Sequence, residues 1–315
     1  MEYTYTAKSK PVKAKKRARL LRKDGITLLL LALPFVLFTF AFSYVPLFGW
    51  IYAFFDYKPG IPLSHSAFLG LENFRSMLTD PRMGPVLVNT LALSLLSIAT
   101  APIPMLLAIL ISEVRSGWFK RLVQTVSTLP HYISWIIVFS LAFSMFSTEG
   151  AVNSIMTKTG IGSPPVDVLG NYERVWTVQT MLLLWKGVGW SAIIYLAAIV
   201  GIDSEQYDAA KVDGAGRFRS IWHITLPSIM PTFIVLLLLS VSNLLSAGFE
   251  QYLIFSNVMI ADRIEVLDLY VYRLGLVTGD YSYSTAVGIF KTAISVILLF
   301  TVNLLSKKFR GQGIV

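Results

Sequence analysis

Asp208 to Pro231 reads DAAKVDGAGRFRSIWHITLPSIMP, and the fold turns on this stretch. It is the most polar long run after residue 175, and it lies between two apolar runs that are each long enough to cross a bilayer. Asp203 can cap a helix start, with Gln206 three residues on in capping-box position. Ala209 and Ala210 are strong helix formers with minimal side chains. Gly214 and Gly216 then stop or bend that helix. A second short helix is expected from Arg217 to about His223. Pro227 is expected to close it, because the residue before a proline, here Leu226, is pushed out of the helical region. The expectation is a compact helix–turn–helix of small residues at a membrane face. Gly214-Ala215-Gly216 is not a P-loop, since no Gly-Lys-Ser/Thr follows it.

The rest of the chain supports a membrane setting. Its 315 residues are 55% hydrophobic and only 14% charged, with mean hydropathy +0.64, against about 25% charged in soluble domains. Cysteine is absent, which excludes disulfides and cysteine metal sites. His65, His131 and His223 are too scattered to suggest a metal cluster. Six runs have spanning length, at about 26–44, 86–111, 122–147, 176–200, 229–247 and 284–305. The fold class expected is therefore an all-α membrane protein of six transmembrane helices. No internal repeat stands out, where inverted repeats would favour a secondary transporter.

The net charge of +9 is distributed by side rather than spread for nucleic acid. The tail 1–24, the connections 112–121 and 201–228 and the end 306–315 together hold 18 Lys/Arg. Segments 45–85, 148–175 and 248–283 hold 7. By the positive-inside rule both termini and the 201–228 loop are cytoplasmic. Residues 1–24 read as a disordered basic cytoplasmic tail compatible with anionic lipid, and residues 25–315 as the transmembrane domain. The tail is not a cleavable signal peptide, because the apolar run after it is too long and lacks a small-residue cleavage site.

Polar groups inside the apolar runs mark a candidate path. In Trp185-Lys186-Gly187-Val188-Gly189-Trp190, Lys186 lies about ten residues into its helix, or about 15 Å down a roughly 30 Å core. A charge there should face a cavity or a partner, and Gly187 and Gly189 permit close packing. Lys291 lies about seven residues from the outer end of the sixth run. Ser240, Ser242, Asn243 and Ser246 occupy the outer half of the fifth, with Ser240 and Ser242 expected to bond between helices. Glu250 and Gln251 are placed at the outer mouth. Pro130 should kink the third run, as a gating hinge or as a static bend, and His131 reads as a packed residue. Trp50, Phe54, Phe55 and Tyr57 fit an interfacial aromatic belt.

Asp208-Ala209-Ala210, then Gly214, then Ile224, Leu226 and Pro227 match the spacing of the EAA loop of ABC-importer permeases, which this stretch closely resembles. The departure is Asp208 in place of Glu, which shortens the carboxylate's reach by one methylene. Gly70-Leu71-Glu72-Asn73-Phe74 and Asn89-Thr90 resemble signatures of carbohydrate-importer permeases. Phe249-Glu250-Gln251-Tyr252, Tyr270-Val271-Tyr272-Arg273 and Tyr281 to Lys291 resemble the polysaccharide and oligosaccharide branch, the LplB-like permeases. The resemblance runs from about residue 25 to the C-terminus. It implies a type I importer permease fold. The coupling residues would be Asp208, Ala209, Ala210, Gly214, Ala215, Gly216, Arg217, Ile224, Leu226 and Pro227, docking on a cytoplasmic ABC ATPase dimer.

The same resemblance implies a second homologous permease, an extracytoplasmic solute-binding protein and a carbohydrate solute. The chain itself would carry no catalytic residue, metal or cofactor, with ATP and Mg held by the ATPase. Candidates for the solute path are Trp185, Lys186, Trp190, Asn243, Glu250, Gln251 and Lys291, since sugars stack on aromatic faces and bond amides and charges. Lys186 would attract an acidic sugar or pair with an acid on the second permease. The rival readings are an ABC permease for peptides or another solute, an ion-coupled transporter, and a membrane scaffold.

Overall fold

A computed structural model describes the backbone of residues 14–160, 167–246 and 248–310, and side chains within 25–304. The chain divides into two units, residues 1–52 and 53–315. The first is one helix, α1 (Ala14–Thr39), which continues through a π-turn at Phe40–Tyr44 into a 3-10 segment, Val45–Phe54. The helix therefore starts inside the expected tail; residues 14–24 are helical, and residues 1–13 lie outside the described residues. It also runs ten residues past the expected end at 44, because the sequence stays apolar and aromatic to Phe54.

The regular structure among the second unit's described residues is helical, apart from one isolated bridge between Phe55 and Phe68. In order it has α2 (Glu72–Thr79), α3 (Met83–Ala99), α4 (Pro102–Glu113), α5 (Gly117–Thr128), α6 (Trp135–Phe146), α7 (Ala151–Thr159) and α8 (Val175–Val200). Then come α9 (Ser204–Val212), α10 (Arg217–Ser220), α11 (Leu226–Ser242), α12 (Glu250–Phe255), α13 (Ala261–Ile264), α14 (Leu267–Tyr272) and α15 (Tyr281–Arg310). Six helical stretches among the described residues are long and apolar enough to span a membrane: Gly25–Phe54, Met83–Glu113, Trp135–Thr159, Val175–Val200, Arg217–Ser242 and Tyr281–Leu304.

Proline and glycine account for most departures from the six expected runs. The second span bends at Thr100–Ala101, where Pro102 opens α4 without an N–H to donate. The third run, expected as one kinked helix over 122–147, is two helices. After α5 comes a 3-10 turn at Leu129–Tyr132, and Ile133 and Ser134 are extended before α6 starts. The fifth span starts at Arg217 rather than 229, because the helix does not close at Pro227. A π-turn at Ile221–Thr225 carries α10 into α11, with the Leu226 N–H reaching back to the Ile221 carbonyl. That wider turn shifts the ladder by one residue, so Pro227 falls in the first turn of α11, where its missing N–H costs nothing.

α8 is the hub of the second unit. It packs on α3, α4, α5 and α11, and at its N-terminal end on α13. Two apolar clusters gather at that end. One joins Leu93, Val138, Val175, Tyr252, Phe255, Ile260, Ile264, Val266 and Leu269, and the other Met77, Met83, Val86, Leu267, Tyr270, Leu274 and Val287. A third, with Ala108, Ile109, Ala192, Tyr195 and Ile229, lies toward the α9 end. The short helices α12–α14 thus contribute the most deeply buried side chains, and they form a cap over one end of the bundle. The opposite end carries α9 and α10.

Candidate functional site

The loop between α8 and α11 is built from local turn chemistry. The Asp203 carboxylate accepts from the Glu205 N–H at 3.0 Å and caps α9. At the other end Ala215 N–H bonds the Ala210 carbonyl at 2.8 Å and Gly214 N–H bonds that of Lys211 at 3.1 Å. This is a Schellman closure, and it holds Gly214 at φ +75°, in the left-handed region that favours glycine. Gly216 is extended and starts α10 at Arg217. Ala209 is exposed and Ala210 half-buried; Val212, Phe218 and Trp222 are 89%, 80% and 59% exposed, leaving an apolar face open.

The loop is tied to the bundle at two points. Tyr207 Oη lies 2.9 Å from Thr225 Oγ1, and Arg217 Nε lies 4.0 Å from Glu113 Oε2. Ile221 and Leu226 pack on the third cluster, while Ile224 is half-buried and Pro227 exposed. Asp208 pairs with Lys211 at 2.8 Å, both side chains about 70% exposed. A pair so wet is worth at most about 1 kcal/mol, so its carboxylate is easily lent to another cation.

Lys186 finds backbone partners instead of a carboxylate. Its Nζ donates to the His131 carbonyl at 2.7 Å and the Pro130 carbonyl at 3.4 Å, and sits 5.4 Å from the Trp135 ring centroid. The Pro130 carbonyl also accepts the Ile133 N–H at 3.2 Å, so the carbonyl at the end of the 3-10 turn that relies on the ammonium is that of His131. His131 stacks flat on Trp190, with centroids 4.6 Å apart and planes 2° apart, and Tyr132 meets Trp190 edge-on. A Cβ on Gly189 would overlap the Ser127 carbonyl, so α8 and the end of α5 meet backbone to backbone there. Gly187 has open space around its Cα and borders a cavity instead.

That cavity, of about 490 Å³, lies between the α3–α4 bend, α8 and α11. Ser97, Thr100, Gly187, Ser191, Ser240 and Asn243 bring its polar groups. Ser240 and Ser242 bond the carbonyls of Leu236 and Leu238 in their own helix rather than bonding between helices, and Asn243 likewise bonds Leu239. Trp185 faces elsewhere, into an apolar groove of about 470 Å³ with Val138, Met145 and Met181. Lys291 forms an ion pair with Asp268 of α14. Glu250 is exposed, but Gln251 is 3% exposed, and it donates to Gln179 Oε1 at 2.7 Å and to the Gln179 carbonyl at 2.9 Å. Gln251 is therefore committed within the chain, its amide satisfying a buried glutamine on α8. The path candidates thus fall into separate neighbourhoods: the α5–α6 break, the polar cavity and the cap.

The cap holds functional-looking residues that the sequence left unmarked. Asp80 accepts from the Tyr270 hydroxyl at 2.5 Å, the Tyr283 hydroxyl at 2.9 Å and the Arg82 N–H at 2.9 Å. Partial burial pushes the Asp80 carboxyl up, but the bonds from Tyr270, Arg82 and Tyr283 outweigh it and hold it at about 2. Burial first, then the bond to Asp80, pushes the Tyr270 hydroxyl up. The two tyrosines are 190 and 203 positions from Asp80, and no local pattern announces them. Asn89 and Thr90, picked out by resemblance, clamp the cap. The Asn89 amide donates to the Asp262 and Glu265 carbonyls at 2.7 and 3.1 Å, and the Leu267 N–H donates to Thr90 Oγ1 at 2.8 Å. Phe54 packs on Phe74 and Phe55 on Phe68, so part of the aromatic run serves internal packing.

Comparison with known proteins agrees with this architecture. The chain is 42% identical over 306 residues to the polygalacturonan/rhamnogalacturonan transport system permease protein YteP of Bacillus subtilis (strain 168), covering 96% of this chain and 95% of that protein. It is 41% identical over 290 residues to protein LplB of the same organism, covering 91% and 90%. Among solved structures, a chain of a bacterial alginate ABC transporter in complex with alginate pentasaccharide-bound periplasmic protein superposes with a TM-score of 0.82 at 33% identity, covering 94% of this chain and 98% of that one. The family model for the binding-protein-dependent transport system inner membrane component matches residues 100–311, and the chain, a multi-pass membrane protein, belongs to that family.

Proposed function

We propose that this chain is a transmembrane subunit of an ATP-driven, binding-protein-dependent importer of oligosaccharides or polysaccharide fragments, acidic ones in particular. The observation that carries the reading is the similarity along nearly the whole chain to a polygalacturonan/rhamnogalacturonan permease, joined by the alginate transporter among solved structures. Both of those names describe uronate-containing polymers. The chain is a permease subunit and not an enzyme. In this reading a second homologous permease completes the path, an extracytoplasmic binding protein delivers the solute, and a separate ABC ATPase dimer binds ATP and Mg.

The geometry supports a division of labour. The Lys/Arg distribution supports a cytoplasmic location for both termini and the α9–α10 loop. The exposed face of Val212, Phe218 and Trp222, with Asp208 beside it, gives the ATPase an apolar and acidic docking surface. α10 continues into α11 through the π-turn, so ATPase closure acting on α10 would move α11 directly. α11 lines the polar cavity, which is how docking would change access to it. Such switching requires the two states to bind solute differently.

The test is reconstitution of the assembled complex in proteoliposomes, with binding protein outside. ATP-dependent uptake of oligogalacturonates, absent with an ion gradient alone and absent with this chain alone, is the expected result. Uptake driven by the gradient, or by this chain without its partners, overturns the reading.

A further inference from the structure

Most of the cations that pack in and around the cap are paired, whereas the cation on α13, Arg263, has no such partner among the described residues. Arg82 pairs with Asp80, Arg273 donates to Glu265 and Ser256 at 2.9 and 2.8 Å, and Lys291 pairs with Asp268. Arg263 has no hydrogen bond or ion pair from its side chain among the described residues, and its Nε is buried without an acceptor. Its guanidinium lies 4.0 Å from the Trp176 ring centroid and 5.3 Å from that of Tyr172. Its neighbour Glu265 is already engaged by Arg273. A half-buried guanidinium without a counter-ion among the described residues is suited to an anion, because its planar fork matches a carboxylate in geometry and charge.

The site is held rigidly. The Trp176 Nε1–H donates to the Arg263 carbonyl at 2.9 Å. Asn89 holds the carbonyls of Asp262 and Glu265 on either side, and Ile264 next to it is fully buried. Stacking on Trp176 fixes the guanidinium plane, so little freedom is lost when a ligand binds. Tyr172 remains 49% exposed and offers a ring for the C–H face of a pyranose.

The site also stands in register with the polar cavity. Trp176 precedes Gly187 by eleven residues on α8, and Asn89 precedes Thr100 by eleven on α3. Eleven residues make about three full turns and about 16 Å, so each pair shares one helix face. Gly187 and Thr100 line the cavity. Between the two levels Gln179, Thr180 and Leu93 are buried. The cation therefore sits by the cap end of the helix faces that line the cavity.

Resting on the reading above, we infer that Arg263, stacked on Trp176 beside Tyr172, binds a uronate carboxylate of the incoming saccharide at the cap, before the path opens. A saccharide fits better than an acidic protein side chain, since the donors are recessed while an aromatic ring stands open beside them.

The experiment uses the assembled complex with its binding protein, and two substrates: oligogalacturonate and the same oligomer fully methyl-esterified. Arg263→Gln should raise KM for the acid about tenfold or more, leaving kcat and the ester's KM near wild type. Arg263→Lys should recover part of the loss, and Tyr172→Ala should weaken both substrates. Melting of each complex checks folding. A wild-type complex that imports no uronate overturns the functional reading and this site with it. A wild-type complex that imports uronate while Arg263→Gln matches it, or while the variant harms acid and ester equally, overturns the site alone.

Discussion

Lys186 on α8 donates its ammonium to the His131 carbonyl at 2.7 Å, at the point where the third apolar run breaks in two. The break leaves the His131 carbonyl without a helical donor, and the lysine has no carboxylate partner among the described residues. Each settles the other's unpaired group. Trp190, one turn further along α8, stacks on His131 and completes the joint.

Replacing Lys186 with Met keeps length and removes the donor. The His131 carbonyl would then lose its partner at a cost of about 1–3 kcal/mol, while the Pro130 carbonyl keeps the Ile133 N–H. Lower complex yield and a lower melting temperature are expected, with uptake falling in proportion to folded protein. Normal melting with selectively lost uptake would instead put the ammonium in the solute path.

The two glycines flanking Val188 should behave oppositely. Gly189→Ala forces a methyl into the Ser127 backbone and should separate α5 from α8, destabilising the fold by about 1–3 kcal/mol. Gly187→Ala meets nothing within 4 Å, so it should fold normally and only narrow the polar cavity. Thermal melting of both variants in detergent decides the matter; equal stability would mean the close crossing is not needed.

Gly214 tests the loop. At φ +75° a β-branched residue pays the left-handed penalty, about 1–2 kcal/mol or more, although its Cβ would meet no neighbour. Gly214→Val should fray the end of α9 and lose co-purified ATPase while the membrane bundle melts as before. Gly214→Asn, which tolerates that conformation, should retain most of the association. Full ATPase recovery with Val would remove the Schellman closure from the coupling mechanism.

Asp80 predicts an acid-sensitive cap. Its carboxyl is held at about 2, below its ordinary value, so the stabilisation is present above pH 4 and is lost as pH falls from about 4 through 2. The groups facing it are Arg82, Tyr270 and Tyr283, and none of them takes up or loses a proton in that window. Asp80→Asn should cost about 2 kcal/mol at neutral pH and flatten the melting curve's dependence on pH between 4 and 2. A variant as acid-sensitive as wild type would place the effect elsewhere.

What the sequence by itself determined follows from local constraints. A bilayer core demands internally bonded, continuously apolar helices, so the six spans could be read from runs of residues, as α8 shows at Val175–Val200 against an expected 176–200. Turn chemistry is equally local: Asp203 caps and Gly214 closes α9 within a dozen residues, and both were legible. Proline was legible as a disturbance but not in its outcome. Pro130 marks a full break rather than a kink, because Lys186 of a distant helix satisfies the freed His131 carbonyl. Pro227 marks no end at all, because a π-turn absorbs it. Tertiary structure alone joined Lys291 to Asp268, Gln251 to Gln179 and Asp80 to Tyr270, and it alone left Arg263 without a counter-ion among the described residues. Those pairings join positions 23 to 190 apart along the chain. A charge in the sequence announces that it needs a partner, but only packing decides which helix supplies it and which charge is left for a ligand.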